Sequence, residues 1–326
     1  MKFAREFQGF GGATERFGGN RRQVGKLVGI VLIAYLLICL LVGWYWSREP
    51  GLDDLSVQPV GNDAALTTGS HTARTLQALA GTLLDKPGGF ISNDIAPPGI
   101  WLDNMPSWEF GVLVQIRDMT RSMRRDMARS QSQSTEDPDL SRAEPRFHFD
   151  HNSWVLPASE KEYRDGILAL NSYINRLESG NASFYARADN LAGWIGDAST
   201  RMGSLSQRLS ASVARSPMAD GRERKQTPWM QIDNVFFEAR GSAWAMVHLL
   251  RAVEKDYADV LANKNALISL QQIISELEAT QEPIWSPMIL NGGGFGIFAN
   301  HSLVMANYLS RANAGLIDLR RLLEQG

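Results

Sequence analysis

The feature that most constrains this chain is the stretch from Leu27 to Trp46, LVGIVLIAYLLICLLVGWYW, twenty residues without a charge. A helix of that length rises about 30 Å, the thickness of a bilayer's hydrocarbon core. Trp44, Tyr45 and Trp46 close it with the side chains that favour a membrane–water interface. A secretory signal peptide is shorter and ends in small residues, whereas this stretch ends in Trp-Tyr-Trp. A lipoprotein signal fails as well, because Ile38 is bulky and apolar residues continue past Cys39. The stretch reads as an uncleaved single-pass anchor.

The flanks orient it. Six cations (Lys2, Arg5, Arg16, Arg21, Arg22, Lys26) face two acids, Glu6 and Glu15, on the N-terminal side, and Arg48 is followed by Glu49, Asp53 and Asp54 on the other. The positive-inside rule puts the N-terminus in the cytoplasm. The expected organisation is a flexible basic cytoplasmic tail over 1–26, a transmembrane helix over 27–46, a linker over 47–68 and a helical domain outside the cytoplasm over 69–326. The tail repeats Phe-Gly-Gly at Phe10–Gly12 and Phe17–Gly19. Cys39 is the only cysteine, so the exported part has no thiol, which suits an oxidising compartment and excludes a disulfide framework or a cysteine nucleophile there. A net charge of −2, with 44% hydrophobic residues, excludes a disordered chain and a basic nucleic-acid binder.

Beyond the linker the apolar pattern has a helical period. Helices are expected over about Ser70–Lys86, Ser107–Ser132, Ser159–Ser179, Ser183–Arg215, Pro228–Ala262, Asn265–Thr280 and Asn300–Glu324, each with apolar residues three and four apart. Only Phe147–Val155 alternates with period two, too short to build a sheet. Ser130–Pro145 and Ser216–Thr227 read as polar exposed loops. The fold class is all-α: one N-terminal transmembrane helix, then an elongated antiparallel helical bundle. Leu191, Ile195, Ala198, Met202, Leu205 and Leu209 form a coiled-coil-like seam, as do Met305, Leu309, Ala312, Leu316, Leu319 and Leu323. Sequence leaves open whether these seams pair within one chain or between two.

Two loops stand out, PGGFISNDIAPPGIWLDNMP over 87–106 and EPIWSPMILNGGGFGIFA over 282–299. Structureless loops this long are uncommon in a compact domain and often carry function. They share a pattern: Pro98-Gly99-Ile100-Trp101 then Phe110-Gly111-Val112, and Pro283-Ile284-Trp285 then Phe295-Gly296-Ile297. Phe90, Trp101, Asp103, Trp108, Trp285, Phe295 and Phe298 are therefore the candidate interaction residues, facing a protein partner, lipid or a ligand. The simpler expectation is that the loops cap the bundle and bury Trp101 and Trp285, since tryptophan is buried on average.

Chemistry is sparse. Gly294–Ala299 matches a relaxed dinucleotide fingerprint but lacks the preceding strand. His148, Asp150 and His151 stand close together without an obvious further ligand, so no metal site is expected. No nucleophile elbow, Walker or zincin sequence occurs. Asp103 and Glu109 are the only carboxylates worth weighing as a catalytic pair, with an ordinary loop acid and a first-turn helix acid as the plainer account. Arg117, Arg121, Arg124 and Arg125 share one helix face, read as solvated because Asp118 and Asp126 lie beside it.

The stretches Pro87–Asp118, Ala128–Leu140 and Glu278–Tyr308, taken together, resemble the proteobacterial domain-of-unknown-function 2333 family of single-pass membrane proteins. The resemblance covers nearly the whole chain. It implies a Gram-negative envelope protein and brings no catalytic residues with it. Together with the anchor and its orientation, the expected placement is the inner membrane, with the domain in the periplasm. The leading expectation is a structural or interaction component of the envelope that binds an envelope protein or self-associates, with no nucleic acid and no cofactor. The alternatives are a small-ligand sensor, which would signal through another membrane protein because 26 residues are few for an output domain, and an envelope glycan or lipid enzyme.

Overall fold

The computed structural model describes residues 14–55, 67–130, 135–212, 227–286, 288–292 and 299–325, with side chains from residue 23 onward. Among these residues it is all-α, with no strand and one isolated bridge between Asn291 and Asn300. The helices are α1 (Thr14–Trp46), α2 (Ser70–Asp85), α3 (Asn104–Ser122), α4 (Pro138–Phe147), α5 (Ser159–Glu178), α6 (Ala188–Ser210), α7 (Ile232–Asp256), α8 (Ala258–Asn263), α9 (Leu267–Glu278) and α10 (His301–Glu324).

α1 contains one segment, Gln23–Trp46, long and apolar enough to cross a membrane, with a mean hydropathy of 2.8. It starts at Thr14, well ahead of Leu27 where the apolar run begins, so helix extends into the stretch expected to be a flexible tail. The residues just after it are no free linker either: Leu52 and Leu55 pack on the core, and the Trp244 indole N–H donates to the Gly51 carbonyl at 3.0 Å.

The central helix is α7, where Ala243, Trp244, Val247, Leu250 and Val253 are among its many buried residues. α3 lies against it backbone to backbone. A Cβ on Gly111 would sit 2.1 Å from the Glu238 carbonyl oxygen, and one on Gly241 2.2 Å from that of Trp108. α2 packs beside them, its start held by Asp256 at the end of α7: the carboxylate accepts from the Gly69 N–H (2.9 Å), the Thr72 N–H (2.7 Å) and the Thr72 hydroxyl (2.7 Å). These are donors that a helix N-terminus leaves without intrahelical partners. α5 runs antiparallel to α2, with Arg74 on Glu178 near one end and Arg164 on Asp85 at the other. The two seams pair within the chain. α6 and α10 lie antiparallel, with Gly196 against Arg320, Gly203 against Asn313 and the Ser206 hydroxyl donating to the Ala306 carbonyl.

Several expectations are corrected. Ser130–Pro145 is not a loop throughout, because α4 begins in it. Asp137 caps that helix by accepting from the Asp139 and Leu140 N–H groups, Pro138 opens it, and Leu140, Ala143 and Phe147 are buried. Its polar residues go to ion pairs: Arg176 bonds both Asp137 and Asp139, and although burial pushes the Asp139 carboxyl up, its hydrogen bonds from Arg176 and Arg142 hold it below the usual carboxylate range. α3 starts at Asn104, three residues early, and ends in a π turn over Met123–Met127. α6 starts at Ala188, five residues late, because Tyr185 donates its N–H to the Met127 carbonyl at 2.6 Å in an extended segment. The long fifth helix breaks at Tyr257, whose ring meets Phe184 edge-on at 5.8 Å. Phe147–Val155 forms a helix end and turns, not a strand.

Candidate functional site

Both unusual loops are built on ion pairs, one fully buried and one largely shielded. Lys86, at the end of α2, places its ammonium 2.5 Å from Glu109 Oε1, with both side chains nearly inaccessible. Lys86 also donates to the Gly89 carbonyl, and Glu109 accepts from the Ile91 N–H (2.8 Å), the Ser92 N–H (2.8 Å) and the Ser92 hydroxyl. A buried carboxylate is stable only when so satisfied. Glu109 is therefore the internal pivot of the first loop. Asp103 is exposed at the start of α3, where its carbonyl accepts from Ser107, so the pair weighed as catalytic from sequence has one member sealed inside the loop.

The same pivot buries two candidate interaction residues. Phe90 meets Tyr163 edge-on at 5.4 Å, and Trp108 is fully buried against Trp244 at 5.1 Å. Beyond Ile91 the loop turns outward. Asn93 donates to the Ser153 carbonyl (2.8 Å) and to Glu160 (2.7 Å). Burial, then the nearby Glu109 and Glu160 charges, raise the pKa of Asp94. Gly99 leaves the Asp94 carboxylate its place, since a Cβ there would stand 2.0 Å from an Asp94 oxygen. Ile95, Ile100 and Trp101 are then left exposed. The expectation that Trp101 and Trp285 cap the core is overturned: Trp101 is 53% exposed and Trp285 95%.

The second loop is held at its base by Arg240 of α7. The guanidinium donates to Glu49 (2.5 Å), just past α1, and to the carbonyls of Thr280 (2.8 Å), Gln281 (3.1 Å) and Glu282 (3.0 Å). Gln281 returns a bond to the Arg240 carbonyl. Burial raises the pKa of Glu49, and Arg240 partly counters it. One side chain thus ties the exit of α1 to the loop that presents Trp285. Above it runs a groove of about 380 Å³ lined by Phe236, Ile284, Trp285, Met305 and Tyr308. The candidate positions Phe295 and Phe298, and all of the Gly294–Ala299 pattern except Ala299, lie outside the described residues.

The remaining motifs resolve into structure. No cluster of metal-ligating side chains exists among the described residues. His148 meets Arg121 at 2.7 Å, while His151 lies on the Phe110 ring at 5.0 Å, and its pKa is lowered by burial and by Arg117. The arginine face is not simply solvated. Arg117 donates to the carbonyls of Phe147 and Phe149, and Arg121 and Arg124 pair with Glu144, which docks α4. A larger open cleft of about 940 Å³ lies between the end of α1 and α2, but Arg74 and Asp85 in it are already paired with Glu178 and Arg164. Arg240 and Glu49 are the linking residues that sequence reasoning missed. Their signal was Arg240 standing three, four and seven residues before Ala243, Trp244 and Val247, on the buried stripe of α7.

These features define a class: an all-α protein with an N-terminal helix of membrane-spanning length docked on a bundle that displays apolar loop tips. The chain belongs to the family described as "Uncharacterized protein conserved in bacteria (DUF2333)", which matches residues 20–326. No curated protein and no solved structure matches it.

Proposed function

We propose that this protein is an inner-membrane-anchored interaction component of the bacterial envelope, with its N-terminus in the cytoplasm and its bundle in the periplasm, and that it binds another envelope protein through the loop after α9. The observation that carries the reading is Trp285, 95% exposed at the tip of a loop whose base is fixed by Arg240. Exposed tryptophan is costly in water, and tryptophan is the residue that most often anchors protein interfaces. Met288 is exposed beside it, and the adjoining groove extends the apolar surface. The basic N-terminal flank and the lack of any thiol after Cys39 support the orientation.

The test is in-cell crosslinking with a photoreactive residue at position 285 of the full-length chain, read by mass spectrometry. A single envelope protein captured at 285, and lost when Met288→Ser is added, supports the reading. Crosslinks to this chain alone would overturn it in favour of self-association. The groove also lies within the size range of small-ligand sites, which keeps a sensor as the second reading. That reading predicts a ligand that raises the unfolding temperature of the wild-type protein but not of Tyr308→Ala.

A further inference from the structure

In the last two turns of α1, Cys39, Val42, Gly43 and Trp46 are buried or half-buried, while Leu40, Leu41, Trp44 and Tyr45 between them are exposed. Spacings of three, one and three residues place the covered four on one helix face. What covers that face is in part the first loop: a Cβ on Gly43 would stand 3.4 Å from Pro98 and 3.8 Å from Leu102, and one on Gly88 2.7 Å from the Trp46 ring. Gly88 also has a φ of +87°, so glycine is needed there twice over.

These contacts fix a depth. Gly43 lies three residues before Trp46, about 4.5 Å further into the span at 1.5 Å per residue. A loop seated on Gly43 therefore sits at the level of the aromatic belt, Trp44 to Trp46, and not above it. In the same loop, on either side of Pro98, Ile95, Ile100 and Trp101 are each more than half exposed. Asn93 binds this loop to a second one through Ser153. There Trp154, Val155 and Leu156 are exposed as well, Leu156 at 92% and with a φ of +57°. A leucine held in the left-handed region with its side chain outward is an uncommon, unfavourable arrangement that the surrounding hydrogen bonds maintain. Ser153 and Ser159 supply them, bonding the Pro157, Asp150 and Ser153 carbonyls.

We propose that these two loops form a membrane-interface pad: Ile95, Ile100, Trp101, Trp154, Val155 and Leu156 insert among the lipid headgroups and upper acyl chains beside α1. The occupant is lipid, because the first loop is seated on α1 at Gly43 and Trp46, beside the lipid-facing surface of that helix, and Asn93 ties the second loop to it. A protein partner would have to enter the bilayer to reach it. This rests on α1 spanning the membrane, as in the reading above, but not on any partner of Trp285.

The experiment uses the full-length chain with Cys39→Ser and one added cysteine, by Trp101→Cys, Leu156→Cys, Leu41→Cys or Leu168→Cys. Each variant is labelled with an environment-sensitive nitrobenzoxadiazole dye and reconstituted in vesicles of phosphatidylethanolamine and phosphatidylglycerol. All four positions are exposed, so labelling should leave the fold intact. The expected result is that dyes at 101 and 156 lose most of their emission to a nitroxide carried on shallow lipid positions and little to iodide on both sides of the membrane. The dye at 168, on the open face of α5, should show the reverse. Iodide quenching at 101 and 156 while 41 remains lipid-quenched would overturn the pad and leave the span standing. Protection of 101 and 156 from both quenchers would overturn it in favour of a protein cover. Iodide quenching at 41 would overturn the span itself, and the pad with it.

Discussion

The backbone contact between α3 and α7 yields the most quantitative prediction. At Gly241 an added Cβ would lie 2.2 Å from the Trp108 carbonyl oxygen and 2.9 Å from its carbon. An ordinary carbon–oxygen contact is about 3.3 Å, so Gly241→Ala forces α3 and α7 apart by about 1 Å. Neither atom belongs to a flexible side chain that could swing away. A gap of that size forfeits a quarter to a half of each dispersion contact across the interface, which includes the Trp108–Trp244 pair. Overpacking of this kind costs about 3 kcal/mol, offset by roughly 1 kcal/mol from the better helix propensity of alanine. The net loss of about 2 kcal/mol is a large fraction of a typical 5–15 kcal/mol stability. The comparison is Gly193→Ala on the exposed face of α6, where a Cβ meets nothing within 4 Å. There the propensity term acts alone and stabilises by about 0.5–1 kcal/mol. Urea unfolding of the detergent-solubilised full-length protein, followed by far-ultraviolet circular dichroism, measures both. The same substitution in two helices should move the midpoint in opposite directions. Midpoints that shift together, or a Gly241→Ala midpoint above wild type, would refute the close-contact argument.

Three other perturbations follow. Arg240→Met leaves Glu49 buried without its partner and strips three carbonyls of a donor, so it should cost about 3–5 kcal/mol, and the added change Glu49→Gln should recover part of that in a double-mutant cycle. His248 is buried beside Trp244 and near Arg251, which holds its pKa at about 4. Between about pH 6.5 and 4 the unfolded chain binds a proton that the folded one refuses, so this contribution is intact above pH 6.5 and falls by about 3 kcal/mol as pH drops to 4; His248→Gln should flatten that part of a stability–pH curve. Asp256→Ala removes the acceptor for three donors at the start of α2 and should lower stability by about 2 kcal/mol, with amide exchange accelerated first at Gly69 and Thr72.

What could be read from sequence was whatever local periodicity encodes. α2, α5, α9 and α10 begin and end within two residues of the bounds expected from their apolar stripes, because Leu76, Leu79 and Leu83, or Met305, Leu309 and Leu316, meet the core by helical spacing alone. α4 was hidden because its ten residues include Pro145 and five polar side chains, and it is held by Arg117, Arg124 and Arg176 from outside it. The pairing of the α6 and α10 seams was undecidable for the same reason: a seam specifies a partner's shape and not its chain. Composition marked both loops as unusual but could not tell inward from outward tryptophans. Trp108 is buried because Gly111 and Gly241 bring α7 within reach, and Trp101 is exposed because Asn93 and Glu109 fix the loop before it. Glu109 drew notice as an acid near aromatic residues, and only its four partners reveal a structural role.

The joint between α1 and the bundle has a consequence for encounter rates. A domain on a slack tether sweeps a hemisphere and dilutes each surface patch over that volume. Here the last two turns of α1, the Glu49–Arg240 pair and the Trp244–Gly51 bond tie the helix to the bundle. In the proposed reading, with α1 in the bilayer, Trp285 rides at one height and one tilt above the plane in which α1 diffuses. For a partner confined to the same plane, the search shrinks from three dimensions to two plus a rotation about the membrane normal, and the effective concentration at matching height rises accordingly. A partner whose contact surface stood at another height would gain nothing from sharing the membrane.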